Sequence, residues 1–352
     1  LLFKQLPAIE LNCILNPLTN PFYTKPTMMK KLFPIAALVL IFGNACEKAE
    51  MSGELQEDEL ASAPNQRKCD ADVILQEQLA NDPTFKANYE AQEQRTQEYI
   101  AMKKRGMIQQ ATITIPVVVN VLYRTAAENV SAEQIQSQID VLNRDFNATN
   151  GDFNNYIPDE YANLKANVGV TFRLAAVYRK QTTKVSFRTN DDVKKSNKGG
   201  LNPTDPTTKL NLWVCTLSNR ILGYAQFPGG PAATDGVVIL NTGFGTTGTA
   251  RAPFNLGRTA THEVGHWMNL RHIWGDATCG NDQVGDTPLH NTANYGCPAQ
   301  GHLSTCTGNP KEMWMNYMDY TDDRCMYMFS SGQSVRMLAT FATGGSRVDY
   351  NN

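Results

Sequence analysis

Three of the chain's five histidines fall within eleven residues, in the run Thr261-His262-Glu263-Val264-Gly265-His266-Trp267-Met268-Asn269-Leu270-Arg271-His272. Residues four apart lie on one face of a helix, so a helix through this run lets His262 and His266 reach a single metal ion. Glu263 then stands beside the open coordination position. Three protein ligands with one position left for water is the pattern of a catalytic zinc site, whereas a structural site is closed by four. Zinc lowers the pKa of water to about 7. Glu263 is the residue placed to take the proton as water attacks a carbonyl and to pass it to the leaving amine. The third histidine constrains the fold most. A straight helix would carry His272 away from the ion, so the chain must turn sharply between His266 and His272.

The remaining sequence describes the setting of this cluster. A net charge of −2 and a pI near 6.3 leave no electrostatic footprint for nucleic acid. Hydrophobic residues make up 41 % of 352, enough for a sizeable core. Lys30-Lys31, the apolar run Leu32 to Phe42 and Gly43-Asn44-Ala45-Cys46 read as the three parts of a secretory signal peptide over 28–45, with an apolar run too short to span a bilayer. Residues 1–27, ahead of Met28-Met29, are expected to be upstream sequence foreign to the native protein. Cys46 follows the proposed cut directly and resembles the lipidated cysteine of bacterial lipoproteins. Membrane attachment through a lipidated Cys46 and simple release of a secreted protein both stay open.

Residues 46–69 are polar and acidic and form a flexible tether. Residues 70–105 are rich in helix-favouring Glu, Gln, Ala and Lys, with Asp82-Pro83 as a helix start. They end in the basic stretch Lys103-Lys104-Arg105-Gly106, which is either a linker or an activation site open to proteases. A compact domain is expected over 106–352. Ile115–Leu122 is a β-branched apolar run and hence a buried strand. Ser131 to Phe146 reads as a helix with a Ser131/Gln134 capping box. Strand signals follow at 168–177, 210–217 and 236–240, so helices pack on a sheet. After His272 the periodicity disappears, and an irregular, cross-linked half is predicted. Cys279, Cys297, Cys306 and Cys325 crowd this half as two disulfides with three connectivities open. Cys215, in LNLWVCTL, is predicted to be a buried free thiol.

The His run resembles the HExxHxxGxxH of the metzincin metallopeptidases, in which Gly makes the turn. Here that position is Asn269, which after Gly is among the residues that most readily take a left-handed backbone. More closely, IPVVVNVLY, QIQSQIDVLNRDFN, LGYAQFPG, NLGRTATHEVGHWMNLRHIWGD, GDTP, YGCP and NYMDYTDDRCMYMF resemble the bacterial pappalysin or cytophagalysin-like metzincins (peptidase family M43) over roughly residues 112–340. The resemblance implies an α+β fold: a metzincin catalytic domain with a twisted mixed β-sheet, packed helices and an irregular disulfide-linked C-terminal subdomain. It implies zinc on His262, His266 and His272, with Glu263 as base. Met318 would occupy a tight turn beneath the histidines, and Tyr320 would assist the tetrahedral intermediate. It also implies Cys279–Cys306 and Cys297–Cys325 pairing, and calcium at Asp282, Asp286 and Thr287, whose oxygens suit a hard cation.

Related enzymes stay latent by placing a propeptide cysteine on the zinc. Cys69 is the candidate for that switch, since thiolate is a good zinc ligand. Leu222–Gln226 resembles the edge strand to which metzincin substrates pair. Some relatives prefer Arg after the scissile bond through an acidic residue beyond the Met-turn; Asp322 or Asp323 would serve, with Arg324 opposing. The expected protein is therefore a secreted zinc metalloendopeptidase made as a zymogen, monomeric, acting on peptides or proteins. A catalytically inactive metzincin-fold binding or adhesion protein and a zinc hydrolase of non-peptide amides are the alternatives.

Overall fold

The computed structural model describes residues 64–108 and 112–351. The upstream segment, the signal peptide, Cys46 and most of the tether lie outside the described residues. The apolar run beginning at Ile113 forms β1 (Ile113–Tyr123), almost wholly buried as expected of a central strand. It is flanked by β2 (Val170–Gln181) and β3 (Leu210–Cys215), and the sheet continues through β5 (Val237–Leu240) to β4 (Gly223–Ala225) in the order β2-β1-β3-β5-β4. All neighbours are parallel except β4, which runs antiparallel to β5 and forms the edge of the sheet. Alternate residues of β3 serve two cores. Leu210, Leu212 and Val214 face the helices, while Trp213 and Cys215 pack with Phe187, Leu217 and Phe254 on the other face. Cys215 is accordingly buried and free.

Helix α3 (Ala132–Phe146) lies on the sheet beside α5 (Arg258–Trp267), the helix that carries the His run. Between them in sequence is the short α4 (Gly151–Asn155). Ser131 caps α3 by accepting from the Gln134 amide at 3.2 Å, but the reciprocal half of the expected box is missing. Gln134 is buried, and its Nε2 instead donates to Phe244 O and Thr249 Oγ1, both at 2.8 Å, bracing the loop before α5. Ahead of β1, α1 (Ala71–Asn81) and α2 (Pro83–Lys104) pack against each other. Asp82 caps α2 by accepting from Thr84 N and Phe85 N, as Asp-Pro implied.

Beyond His272 the chain is mostly turns, tied by Cys279–Cys306 and Cys297–Cys325, each with Cα atoms 5.7 Å apart. The pairing matches the one implied by resemblance. One expectation fails here: periodicity does not vanish entirely, because Ser331–Leu338 forms α6. A complete Ser330/Gln333 capping box starts it, a spacing visible in the sequence. Asp286 strengthens the same start by accepting from Ser330 Oγ at 2.6 Å and Gly332 N at 2.7 Å.

The turn bearing Met318 packs directly beneath α5. A Cβ on Gly265 would meet Met318 Sδ at 2.5 Å, so the glycine of HEVGH is a packing requirement of that turn. We expect Gly265→Ala to cost about 1–3 kcal/mol through overpacking. Urea midpoints of the two proteins check this, and equal midpoints would refute it.

Candidate active site

Helix α5 begins at a stabilised N-terminus. Asp323 Oδ2 accepts from Leu256 N at 2.8 Å and Arg258 N at 3.2 Å, setting a carboxylate at the positive end of the helix dipole. The helix ends because Asn269 adopts φ +76°, and Leu270 N then donates back to Gly265 O at 2.9 Å. Asn269 therefore makes the turn that Gly makes in the related pattern. The chain doubles back and brings His272 to the other two. His262 Nε2 and His272 Nε2 each lie 3.1 Å from His266 Nε2.

The opposite ring nitrogens fix the tautomers. His262 Nδ1 meets Tyr317 O at 2.7 Å, His266 Nδ1 meets Leu270 O at 2.8 Å, and His272 Nδ1 meets Asp276 Oδ1 at 2.5 Å. Carbonyl and carboxylate oxygens only accept, so each Nδ1 carries the hydrogen and each Nε2 presents a lone pair. Three buried lone pairs aimed at one another repel unless a cation lies between them. Burial, with mutual repulsion of the rings, holds His262 and His266 well below the usual imidazole range, in the neutral form a metal requires. A tetrahedral ion with metal–nitrogen bonds of about 2.0–2.1 Å needs nitrogens about 3.3 Å apart, close to the observed spacing. The donor set therefore fits a zinc-type ion. Trp274 stacks on His272 at 4.4 Å and 7° and fixes the ring plane.

Cys69 completes the group. Its Sγ and the three histidines place their ligand atoms within 4.8 Å of one another. The same thiol lies 3.3 Å from Glu263 Oε2 and donates to it. Tyr320 Oη donates to Cys69 O at 2.9 Å and accepts from Cys69 N at 3.1 Å. Burial pushes the Glu263 carboxyl up to about 8, opposed by the Cys69 hydrogen bond and the positive charge of Arg67. Burial and the neighbouring Glu263 also raise the Cys69 thiol. Glu263 reaches this position because β4 offers no side chain there: a Cβ on Gly223 would come within 2.7 Å of Glu263 Oε1 and 2.9 Å of Val238 O.

The segment around Cys69 is seated as an added strand. Leu222 N donates to Lys68 O at 2.9 Å and Asp70 N to Gly223 O at 3.4 Å, a parallel bridge on the edge of β4. Two residues before the cysteine, Arg67 is buried in a pocket. It pairs with Asp323 at 2.6 Å, donates to Thr321 O and Thr259 Oγ1 at 3.3 Å, and lies over Phe254. Asp323 is thus the acidic residue of this pocket. Arg324, expected to oppose a cationic side chain, is 72 % exposed and reaches toward Asp322.

Met318 is buried under α5, and its turn supplies the Tyr317 carbonyl to His262. The calcium candidates are brought together only in part. Thr287 Oγ1 bonds both oxygens of Asp282 at 2.9–3.0 Å, whereas Asp286 serves the start of α6. Sequence reasoning missed Asp276, Arg67 and the two backbone carbonyls that orient the imidazoles. Asp276 stands four residues after His272 and was findable from that spacing; carbonyls carry no residue signature.

Comparison with known proteins agrees with this geometry. The profile of peptidase family M43, described as pregnancy-associated plasma protein-A, matches residues 206–342. An extracellular metalloprotease of Verticillium alfalfae is 32 % identical over 260 residues, covering 70 % of this chain and 82 % of that protein. Among solved structures, mature mirolysin of Tannerella forsythia with a cleaved peptide is similar at 44 % identity and a TM-score of 0.66. It covers 69 % of this chain and 97 % of the mirolysin chain. A mutant form of T. forsythia promirolysin is 40 % identical with a TM-score of 0.71, covering 81 % of this chain and 97 % of its own. The chain belongs to the pappalysin family of metallopeptidases, peptidase family M43.

Proposed function

We propose that this protein is an exported zinc endopeptidase made as a latent zymogen, with His262, His266 and His272 as the zinc ligands. The observation that carries the reading is the set of three Nε2 lone pairs converging beside Glu263, with every Nδ1 already donating. Zinc, when bound, supplies a Lewis acid that acidifies water and polarises the substrate carbonyl. Glu263 takes the proton from the attacking water and delivers it to the departing amine. Tyr320 donates its hydroxyl to the carbonyl oxygen as negative charge develops there. The edge of β4 takes the substrate as an extended strand. The pocket ending in Asp323 takes an arginine, a reading supported by the arginine that fills it here.

Residues up to about Lys103–Arg105 act as the pro-segment. The greater coverage by promirolysin than by mature mirolysin supports this, as does the basic end of α2. Cys69 imposes latency: its thiol takes the fourth place among the metal-binding atoms and its backbone engages Tyr320. Asn269 makes the required turn, which supports an active enzyme over an inactive scaffold. A calcium ion in the predicted loop would be held by Asp282 with Thr287 alone, because Asp286 spends both of its oxygens on Ser330 Oγ and Gly332 N. Export is supported by relatives named extracellular metalloproteases. Among the described residues no helix is long and apolar enough to cross a membrane.

Three outcomes follow. Glu263→Ala should lower peptide cleavage by roughly 10²–10⁴-fold while bound zinc, measured by elemental analysis, stays at the wild-type level; undiminished cleavage sinks the mechanism. Cys69→Ala should shorten the lag before the full-length chain is processed, followed on gels; an unchanged lag removes the thiol from the latency account. Asp323→Asn should reduce kcat/KM for substrates with arginine after the scissile bond by roughly ten- to a hundredfold relative to those with leucine. An unchanged ratio would show that the pocket does not select the side chain.

A further inference from the structure

Asn269 does more than turn the chain. Its Nδ2 donates to Glu93 Oε1 of α2 at 2.7 Å, with Thr96 Oγ1 of the same helix 3.5 Å away. Arg336 of α6 meets the same Glu93 oxygen through Nη2 at 2.5 Å. From Nε, Arg336 also donates to the Asn269 carbonyl at 2.7 Å. Asn269 and the Arg336 side chain are completely buried, while the Glu93 side chain is 21 % exposed. Arg336 Nη1 and Asn269 Oδ1 are buried and have no hydrogen-bond partner among the described residues. The catalytic domain thus offers a fixed guanidinium and a fixed amide N–H to a single carboxylate that enters from α2. A buried guanidinium stripped of its counterion is strongly unfavourable, so the position calls for an anion whether or not α2 supplies it.

We propose that Asn269 and Arg336 form a carboxylate-binding site on the catalytic domain, filled by Glu93 in the unprocessed chain and open to a free carboxylate when Glu93 is absent. The inference rests on the proposed pro-segment only in saying when Glu93 departs. Its position gives it a consequence for the histidines. Asn269 is held at φ +76°, and the next carbonyl, Leu270 O, orients His266 at 2.8 Å. An occupant therefore braces the turn that aims His266 and His272.

Chemical rescue tests the site in the full chain. In Glu93→Ala, acetate should raise the thermal midpoint saturably by roughly 2–4 °C at matched ionic strength, and acetamide should not. The wild type, whose site is filled, should not respond, nor should Glu93→Ala combined with Asn269→Gly, which keeps the left-handed turn but removes the amide. Blocked glutamate, titrated separately, distinguishes an acidic side chain from a small acid; a response to either supports the site. No response to both, an equal response in the wild type, or a response that survives Asn269→Gly overturns it. Should Glu93→Ala fail to fold, a urea cycle on Glu93→Gln and Asn269→Gly replaces it. The midpoint lost on Glu93→Gln should at least halve in the Asn269→Gly background, and equal losses overturn the site. Neither readout involves peptide hydrolysis. Rescue in an inactive chain would overturn the proposed activity alone, and an active chain without rescue would overturn the site alone.

Discussion

The arrangement depends on three imidazoles whose Nε2 atoms converge, with those of His262 and His272 each 3.1 Å from that of His266. Such a cluster is unfavourable by itself and needs both a cation to compensate it and acceptors to hold each ring in one tautomer. The acceptors come from three parts of the chain: Tyr317 O from the turn over Met318, Leu270 O from the turn at Asn269, and Asp276 from the loop that follows. The disulfide-linked half is therefore part of the site. Its turns would have little reason to stay beneath α5 without the two cross-links and the packing of Met318 against Gly265.

The same centre explains how the N-terminal segment is held. Cys69 touches Glu263 and Tyr320 and joins the metal-binding group, and its neighbours extend the sheet at β4. Arg67 adds an ion pair to Asp323 in which both side chains are almost fully buried. Taking two charges out of water offsets much of their attraction, so such a pair contributes more to register than to affinity. Register is what matters here, since a shift by one residue would withdraw the thiol from the histidines. Asp323 also carries the backbone amides of Leu256 and Arg258, which links the pocket floor to the start of α5.

Much of this was legible beforehand, for definite reasons. The helix of HEVGH, the turn at Asn269 and the central strand at Ile115–Leu122 follow from spacing and local preference, which act within a few residues. The disulfide pairing was expected from family resemblance and agrees with the structure. The Ser131/Gln134 box failed because Gln134 instead donates to the Phe244 carbonyl and the Thr249 hydroxyl, away from the solvent-facing cap. Helix α6 was overlooked because its eight residues are too few to register as a periodicity inside a loop-rich region. Arg67 and Glu93 carried no signal, since a charged side chain in a polar segment looks solvated until its partner hundreds of residues away is known.

The sequence by itself determined which atoms are able to bind a metal and which carboxylate stands next to them, because those relations are set by the 3.6-residue turn of one helix. It also determined that the chain must reverse before His272. Only the tertiary structure decided which carbonyl faces each imidazole, which of Asp322 and Asp323 closes the pocket, and that Asn269 reaches across to Glu93 and Arg336. The physical reason is the range of the interactions. Helical spacing and backbone preference are local and readable along the chain, whereas hydrogen bonds and ion pairs between distant segments exist only once burial has brought those segments together and removed water as the competing partner.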